Sequence, residues 1–176
     1  ARAAHAAGFD VHVIPRVTNH GRILQNEGFT VHPLALNRGD RRVWRELPLL
    51  CRLAWLYWKL GPCIAHQVAL KPVLYGSIVA IAAPGVRVVN ALAGLGFLFT
   101  SRAAKESVAA RLVNAVLGPV LRLKGRRGIV QNPDDREQLL GLGVPASHLH
   151  MIRGSGVDVT YYRPVPEPDG VPVAAM

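Results

Sequence analysis

Residues 63–92 read CIAHQVALKPVLYGSIVAIAAPGVRVVNAL, and this stretch decides the fold class. Cys63 to His66 is a short apolar run of strand length. Pro72 to Ala83 follows as a helix, with Pro72 suited to a first turn, where a missing N–H leaves no bond unmade. Pro84-Gly85 stops that helix. Val86 to Ala91 is a second strand, rich in β-branched residues. Strand, helix and strand in so short a stretch form a crossover unit, which joins parallel strands.

The alternation extends both ways. Toward the N-terminus, Ala1 to Ala7 has the composition of a helix end closed by Gly8. Phe9 to Ile14 alternates as a strand, Gly21 to Glu27 is a short helix ended by Gly28, and Phe29 to Leu34 is the next strand. After a polar loop at Asn37 to Asp40, a long helix runs from about Arg42 to Leu60 and stops at Gly61-Pro62. Toward the C-terminus, Ala93 to Thr100 is a Gly-containing loop and Ser101 can cap a helix reaching about Leu123. Gly128 to Gln131 is a strand, Asp134 to Leu142 a helix and Leu149 to Ile152 a last strand. Strand and helix alternate six times with no repeat at a fixed period. That predicts an α/β fold: a Rossmann-like parallel sheet with helices on both faces. Ligands of such sheets sit at the carboxyl ends of the strands, which points to the loops after His66, Ala91, Gln131 and Ile152.

Composition narrows the function classes. Half of the 176 residues are hydrophobic and 18% are charged, a globular balance and not a disordered one. The net charge of +10 favours anionic partners, although arginine-rich coding on a solvated surface gives the same number. No G-x-G-x-x-G follows a strand and no phosphate-loop lysine motif occurs, so the common dinucleotide and P-loop readings lose support. Cys51 and Cys63 have no metal spacing and fit buried thiols in a reducing cytoplasm. The apolar runs, such as Val73 to Pro84, are too short for a membrane span of roughly 20 residues.

Several side chains are candidates for chemistry. His66 ends a strand and could bond a hydroxyl or move a proton; a histidine satisfied by nearby backbone is the competing account. Lys71 opens the next helix, where it can meet a phosphate; it can equally be a solvated lysine. Gly94-Leu95-Gly96 lets backbone N–H groups approach a phosphate or sugar, or simply makes a tight turn. Asn132-Pro133-Asp134-Asp135 is a complete helix cap, so the two aspartates are not read as catalytic. Gly154 to Asp158 (GSGVD) has the composition of a hinge, and Pro164 to Pro172 that of a linker. Trp44, Trp55 and Trp58 stand beside Arg45, Arg52 and Lys59, and a later basic segment carries Arg102 through Arg127; aromatic residues beside cations suit a bilayer interface. Packing of the tryptophans on the sheet is the competing account.

Four of these segments in order, HQVALKPVLYG (66–76), VVNALAGLGFLFTS (88–101), QNPDDR (131–136) and IRGSGVD (152–158), resemble the N-terminal domain of family 4 glycosyltransferases, nearest to bacterial enzymes building polysaccharides and lipid-linked oligosaccharides. The resemblance implies one half of a GT-B fold, in which this domain binds the acceptor and a C-terminal domain binds a nucleotide-sugar donor. It implies retention of anomeric configuration, with no cofactor and no catalytic metal. It places His66, Lys71, Gly94, Leu95 and Gly96 at the acceptor side of the cleft and Gly154, Gly156 and Asp158 at the hinge. Many relatives carry a histidine where Ala93 stands and an acid where Cys63 stands, so His66 is the one histidine carried over and no catalytic residue is assigned. The chain opens without Met inside a helical pattern and closes as a new apolar segment begins. It is therefore expected to be a fragment: residues 1–160 the acceptor-side domain without its first strand, and 161–176 a linker into a donor domain. The implied partners are a nucleotide-sugar, a lipid-linked or polysaccharide acceptor and an anionic membrane surface at the cytoplasmic inner face, with no nucleic acid. A non-catalytic module binding an anionic ligand and a GT-B epimerase of UDP-sugars are the alternatives.

Overall fold

A computed structural model describes residues 1–15, 21–34, 47–92, 108–154, 156–163 and 170. In chain order the elements are α1 (Arg2–Ala6), β1 (His12–Val13), α2 (Gly21–Asn26), β2 (Thr30–Val31), α3 (Leu47–Leu60), β3 (Ile64–Val68), α4 (Leu70–Val79), β4 (Arg87–Leu92), α5 (Val108–Arg122), β5 (Arg126–Val130), α6 (Pro133–Gly141), a 3-10 turn at Ala146–His148 and β6 (Leu149–Met151). Every strand pair is parallel, and helices flank the sheets, as the alternation predicts. The strands form two sheets and not one continuous sheet: β1 pairs β2, and a separate sheet runs in the order β3-β4-β5-β6.

Alternation along each strand sets what packs where. On β3, Ala65 and Gln67 are buried while Ile64, His66 and Val68 are exposed; on β4, Val88, Asn90 and Leu92 are buried. The registers Ala65↔Val88 and Gln67↔Asn90 put the buried set on one face. That face holds two cores. Leu49, Leu53 and Tyr57 of α3 meet Val79, Val88 and Leu34 in one. Val73, Leu117, Leu121 and Leu139, from α4, α5 and α6, meet Leu92 and Val130 in the other. Each fully buried Leu or Val contributes about 1.5–3 kcal/mol. Helices α1 and α2 are clipped together by Arg2 and Glu27 at 2.6 Å and by the His5 ring standing edge-on to Phe29.

A chain of polar side chains runs through the first core. Gln67 Nε2 donates to Tyr57 Oη at 3.0 Å, and Ser77 Oγ lies 3.1 Å from both Gln67 Oε1 and Asn90 Oδ1. One hydroxyl proton serves one acceptor at a time, and Asn90 Nδ2 has no partner among the described residues. The chain ties α3, β3, α4 and β4 into one register. Arg126 is also buried, donating to the carbonyls of Ala80 at 2.9 Å and Val86 at 3.2 Å. A guanidinium at the end of α4 meets the negative pole of that helix, which suits a cation held without a carboxylate.

Some expectations change. Cys51 and Cys63 are exposed, not buried. Arg126 belongs to the core and not to a basic surface, because β5 begins two residues before the expected Gly128. The tryptophans divide from their neighbour: Tyr57 is buried, whereas Trp55 is 48% and Trp58 83% exposed. Residues 42–46 and 101–107 of the expected long helices lie outside the described residues.

Candidate functional site

The carboxyl ends of β3 and β4 lie side by side, as the sequence predicts. Beyond the last paired residues the ladder continues, with the Ala69 N–H donating to the Ala91 carbonyl at 3.1 Å. Ala69 alone connects β3 to α4, and it does so at φ 74° and ψ 160°. This region is essentially reserved for glycine, and a side chain there costs of order 1–3 kcal/mol. Backbone strain of this kind concentrates at ligand clamps and active sites, so Ala69 marks the crevice as the candidate site.

The strained joint aims the start of α4 at the crevice. Ala69 supplies no side-chain cap, and the Val73 N–H returns to the Ala69 carbonyl at 3.0 Å. The N–H groups of the first turn precede that bond and carry the positive pole of the helix. Helix α4 begins at Leu70, so Pro72 falls inside the first turn, where no N–H is needed. Lys71 sits in that turn with its ammonium 5.8 Å from the Tyr75 ring centroid. The turn thus presents a cation, oriented amides and an aromatic ring together, chemistry suited to a phosphate or a sugar ring.

The sequence-predicted residues are distributed as follows. His66 is in the middle of β3, two residues short of its end, and points to the face opposite the polar chain. Partial burial lowers its pKa below the ordinary histidine value. A neutral imidazole can accept a proton or bond a hydroxyl. His66 and Lys71 therefore occupy different surfaces, one on the sheet and one at the crevice mouth. Gly94, Leu95 and Gly96 lie outside the described residues. At the end of β5, Asn132 caps α6 as expected: its Oδ1 accepts from the Asp135 N–H at 2.7 Å, and its Nδ2 donates to Asp135 Oδ2 at 3.0 Å.

After β6, Gly154 and Gly156 are exposed, and Gly156 takes φ 66°. The Asp158 carboxylate accepts from Thr160 Oγ1 at 2.5 Å and from the Thr160 N–H at 2.9 Å, bonds that hold its pKa below the usual aspartate value. Asp158 therefore organises the turn that follows the two glycines.

Sequence reading missed two features. The Ala69 joint carries a signal, since a strand meets a helix there with no glycine to make the turn. The second is a contact across β1 and β2. His12 Nδ1 lies 2.9 Å from His32 Nε2, and His12 Nε2 lies 3.1 Å from Asp10 Oδ2. Burial first, then His12, Lys59 and Arg52, depress the His32 pKa. No local pattern announces this pair, because parallel pairing across a helix creates it. Among the described residues no three His, Cys, Asp or Glu side chains come together as a metal site.

A family model described as glycosyl transferase 4-like matches residues 1–119. Among solved structures, a glycosyltransferase from Rickettsia africae ESF-5 is similar in fold, with TM-score 0.58 and 14% identity over 93% of this chain. The chain spans 39% of the length of that structure. No curated protein matches.

Proposed function

Because the chain belongs to the glycosyl transferase 4-like family, we propose that it is the acceptor-side half of a retaining enzyme that moves a hexose from a nucleotide-sugar. The acceptor is a hydroxyl of a lipid-linked or polysaccharide chain, and the work is done at the inner face of the cytoplasmic membrane. The donor-binding half lies outside these 176 residues. The observation that carries this reading is the crevice at the ends of β3 and β4, where the strained Ala69 joint leads directly into the start of α4 with Lys71 in its first turn. Its amides and cation suit the phosphate of a lipid-linked acceptor. Gly94, Leu95 and Gly96, next after β4 in the sequence, are assigned to the acceptor side with Lys71, and His66 supplies a neutral hydrogen-bonding ring on the second face. Gly154, Gly156 and Asp158 form the hinge to the donor-binding half.

Transfer requires both substrates in register, so the acceptor half alone should release no nucleotide from any nucleotide-sugar. The test is turnover by the 176-residue chain and by the whole reading frame. The longer protein is expected to transfer sugar, and Lys71→Met in it should raise the acceptor KM about tenfold with a smaller change in kcat. Turnover by the shorter chain alone would sink the division of labour.

A further inference from the structure

The charge of the chain is concentrated in one stretch. Residues 47–132 hold eleven lysines and arginines against a single acid, Glu106, which accounts for the whole net charge of +10. Helix α3 lies at the start of that stretch. Its inner face, Leu49, Leu53, Leu56 and Tyr57, is buried. Its outer face is apolar as well: Leu47 is 60%, Trp55 48% and Trp58 83% exposed, with Cys51 between them. These positions recur at helical spacing and make one stripe about 17 Å long. Arg52 and Lys59 edge the stripe, and the Lys59 ammonium stands 4.8 Å over the Trp55 ring. No acidic residue occurs in the helix.

On α4 and the turn after it, Ile78 and Ile81 are exposed as well. Between the two helices opens a pocket of about 390 Å³, walled by Ala54, Trp58, Pro62, Val79, Ala82 and Val86. Its lining contains no charged side chain. Arg87 is exposed next to Val86, and Lys124 is exposed on the neighbouring strand entry. Single exposed apolar residues are ordinary, but an apolar and aromatic helix face edged by cations marks an interaction site.

We infer that the outer face of α3, with the pocket beside it, docks on an anionic lipid bilayer. The ring of cations without acids complements a negatively charged headgroup layer, and exposed tryptophans favour the boundary between headgroups and acyl chains. Among the described residues no helix is long and apolar enough to cross a membrane, so this contact lies on the surface. The uncharged pocket opens on the docked face and can admit one acyl chain. The inference deepens the membrane reading above and rests on it for the acceptor, but the contact itself needs no sugar chemistry.

The test is co-sedimentation of the 176-residue chain with vesicles of phosphatidylcholine, with and without phosphatidylglycerol. Binding is expected for the anionic vesicles and is lost at high salt. Trp58→Ser should weaken partition about tenfold or more, and the pair Arg52→Glu with Lys59→Glu should abolish it. Arg163→Glu, outside the basic stretch, should leave it unchanged. Because Trp58 is exposed, its variant should keep the wild-type thermal midpoint. Equal binding to both vesicles, no binding at low salt, or indifference to Trp58→Ser overturns the proposal. So does a dimer in solution that Trp58→Ser dissolves, which would assign the face to a second copy of the chain. Vesicle binding without sugar transfer by the whole reading frame defeats the functional reading and leaves the docking intact; the reverse outcome defeats only the docking.

Discussion

The two faces of the four-stranded sheet differ. On one, Ala65, Gln67, Val88, Asn90 and Leu92 point into α3–α6 and are nearly all enclosed. On the other, Ile64, His66 and Val68 of the same β3 strand stand exposed, one residue out of phase. A parallel sheet is ordinarily covered on both sides. The contrast teaches where specificity is stored. The packed face contains the buried Tyr57–Gln67–Ser77–Asn90 chain, which ties four elements together, while the open face has few neighbours to disturb.

The largest effect that would test this contrast is Gly76→Ala. Alanine in a helix interior normally gains about 1 kcal/mol over glycine. Here a Cβ at residue 76 would overlap Gln67 Nε2 and stand 2.7 Å from its Cδ. Gln67 cannot swing aside without leaving Tyr57 and Ser77, and each buried polar group so orphaned costs about 1–3 kcal/mol. The clash outweighs the propensity, so a net loss of about 2–4 kcal/mol is expected in urea unfolding. Val68→Ala on the open face should change stability by about 0.5 kcal/mol or less. Equal losses for the two variants would break the comparison.

Ala69 sits where β3 gives way to α4, and its substitution should act in the opposite direction. Replacing it with glycine relieves about 1–3 kcal/mol of backbone strain and gives back about 0.5–1 kcal/mol in unfolded-chain entropy. A gain of about 1 kcal/mol is the expected balance, read as a higher urea midpoint at unchanged slope. A loss of stability would mean that the joint is not strained, and the crevice would lose its marker.

The legible part of this molecule is the part written locally. Apolar runs punctuated by Gly61-Pro62 and Pro84-Gly85 announce β3, α4 and β4, and Asn132-Pro133 announces the cap of α6. Features that depend on distant partners are not legible. Nothing near Phe9 or Phe29 says that β1 and β2 pair with each other in a sheet of their own. Arg126 and Arg127 are identical in the sequence, yet one is buried against two carbonyls and the other is exposed, because strand phase decides. The same phase rule on α3 separates Tyr57 from Trp58. In the candidate site, the place of Lys71 at the start of α4 was readable from the proline after it, whereas His66 proved to be mid-strand, and at Ala69 the missing glycine is the only hint of what the backbone angles then show.

The smallest effect belongs to the open face, where His66 gives a test that a buried residue could not. Partial burial lowers its pKa in the folded chain below the ordinary value near 6.5. Between the folded and unfolded pKa values the unfolded chain binds more protons, so stability rises with pH across that window. The contribution is fully present above about pH 6.5 and is lost as pH falls through the folded pKa. His32, depressed chiefly by burial, acts in the same direction and must be separated. His66→Asn should therefore flatten part of the stability profile below about pH 6.5, and His32→Asn another part, with little change above neutrality. The histidine is more than a third exposed, so solvent screening keeps its share small beside the Gly76 effect. Proton titration of the His66 ring by NMR reads the shift directly. A ring that titrates at or above the ordinary value would show that the second face gives no shelter to His66, and the neutral hydrogen-bonding role assigned to it would go with that result.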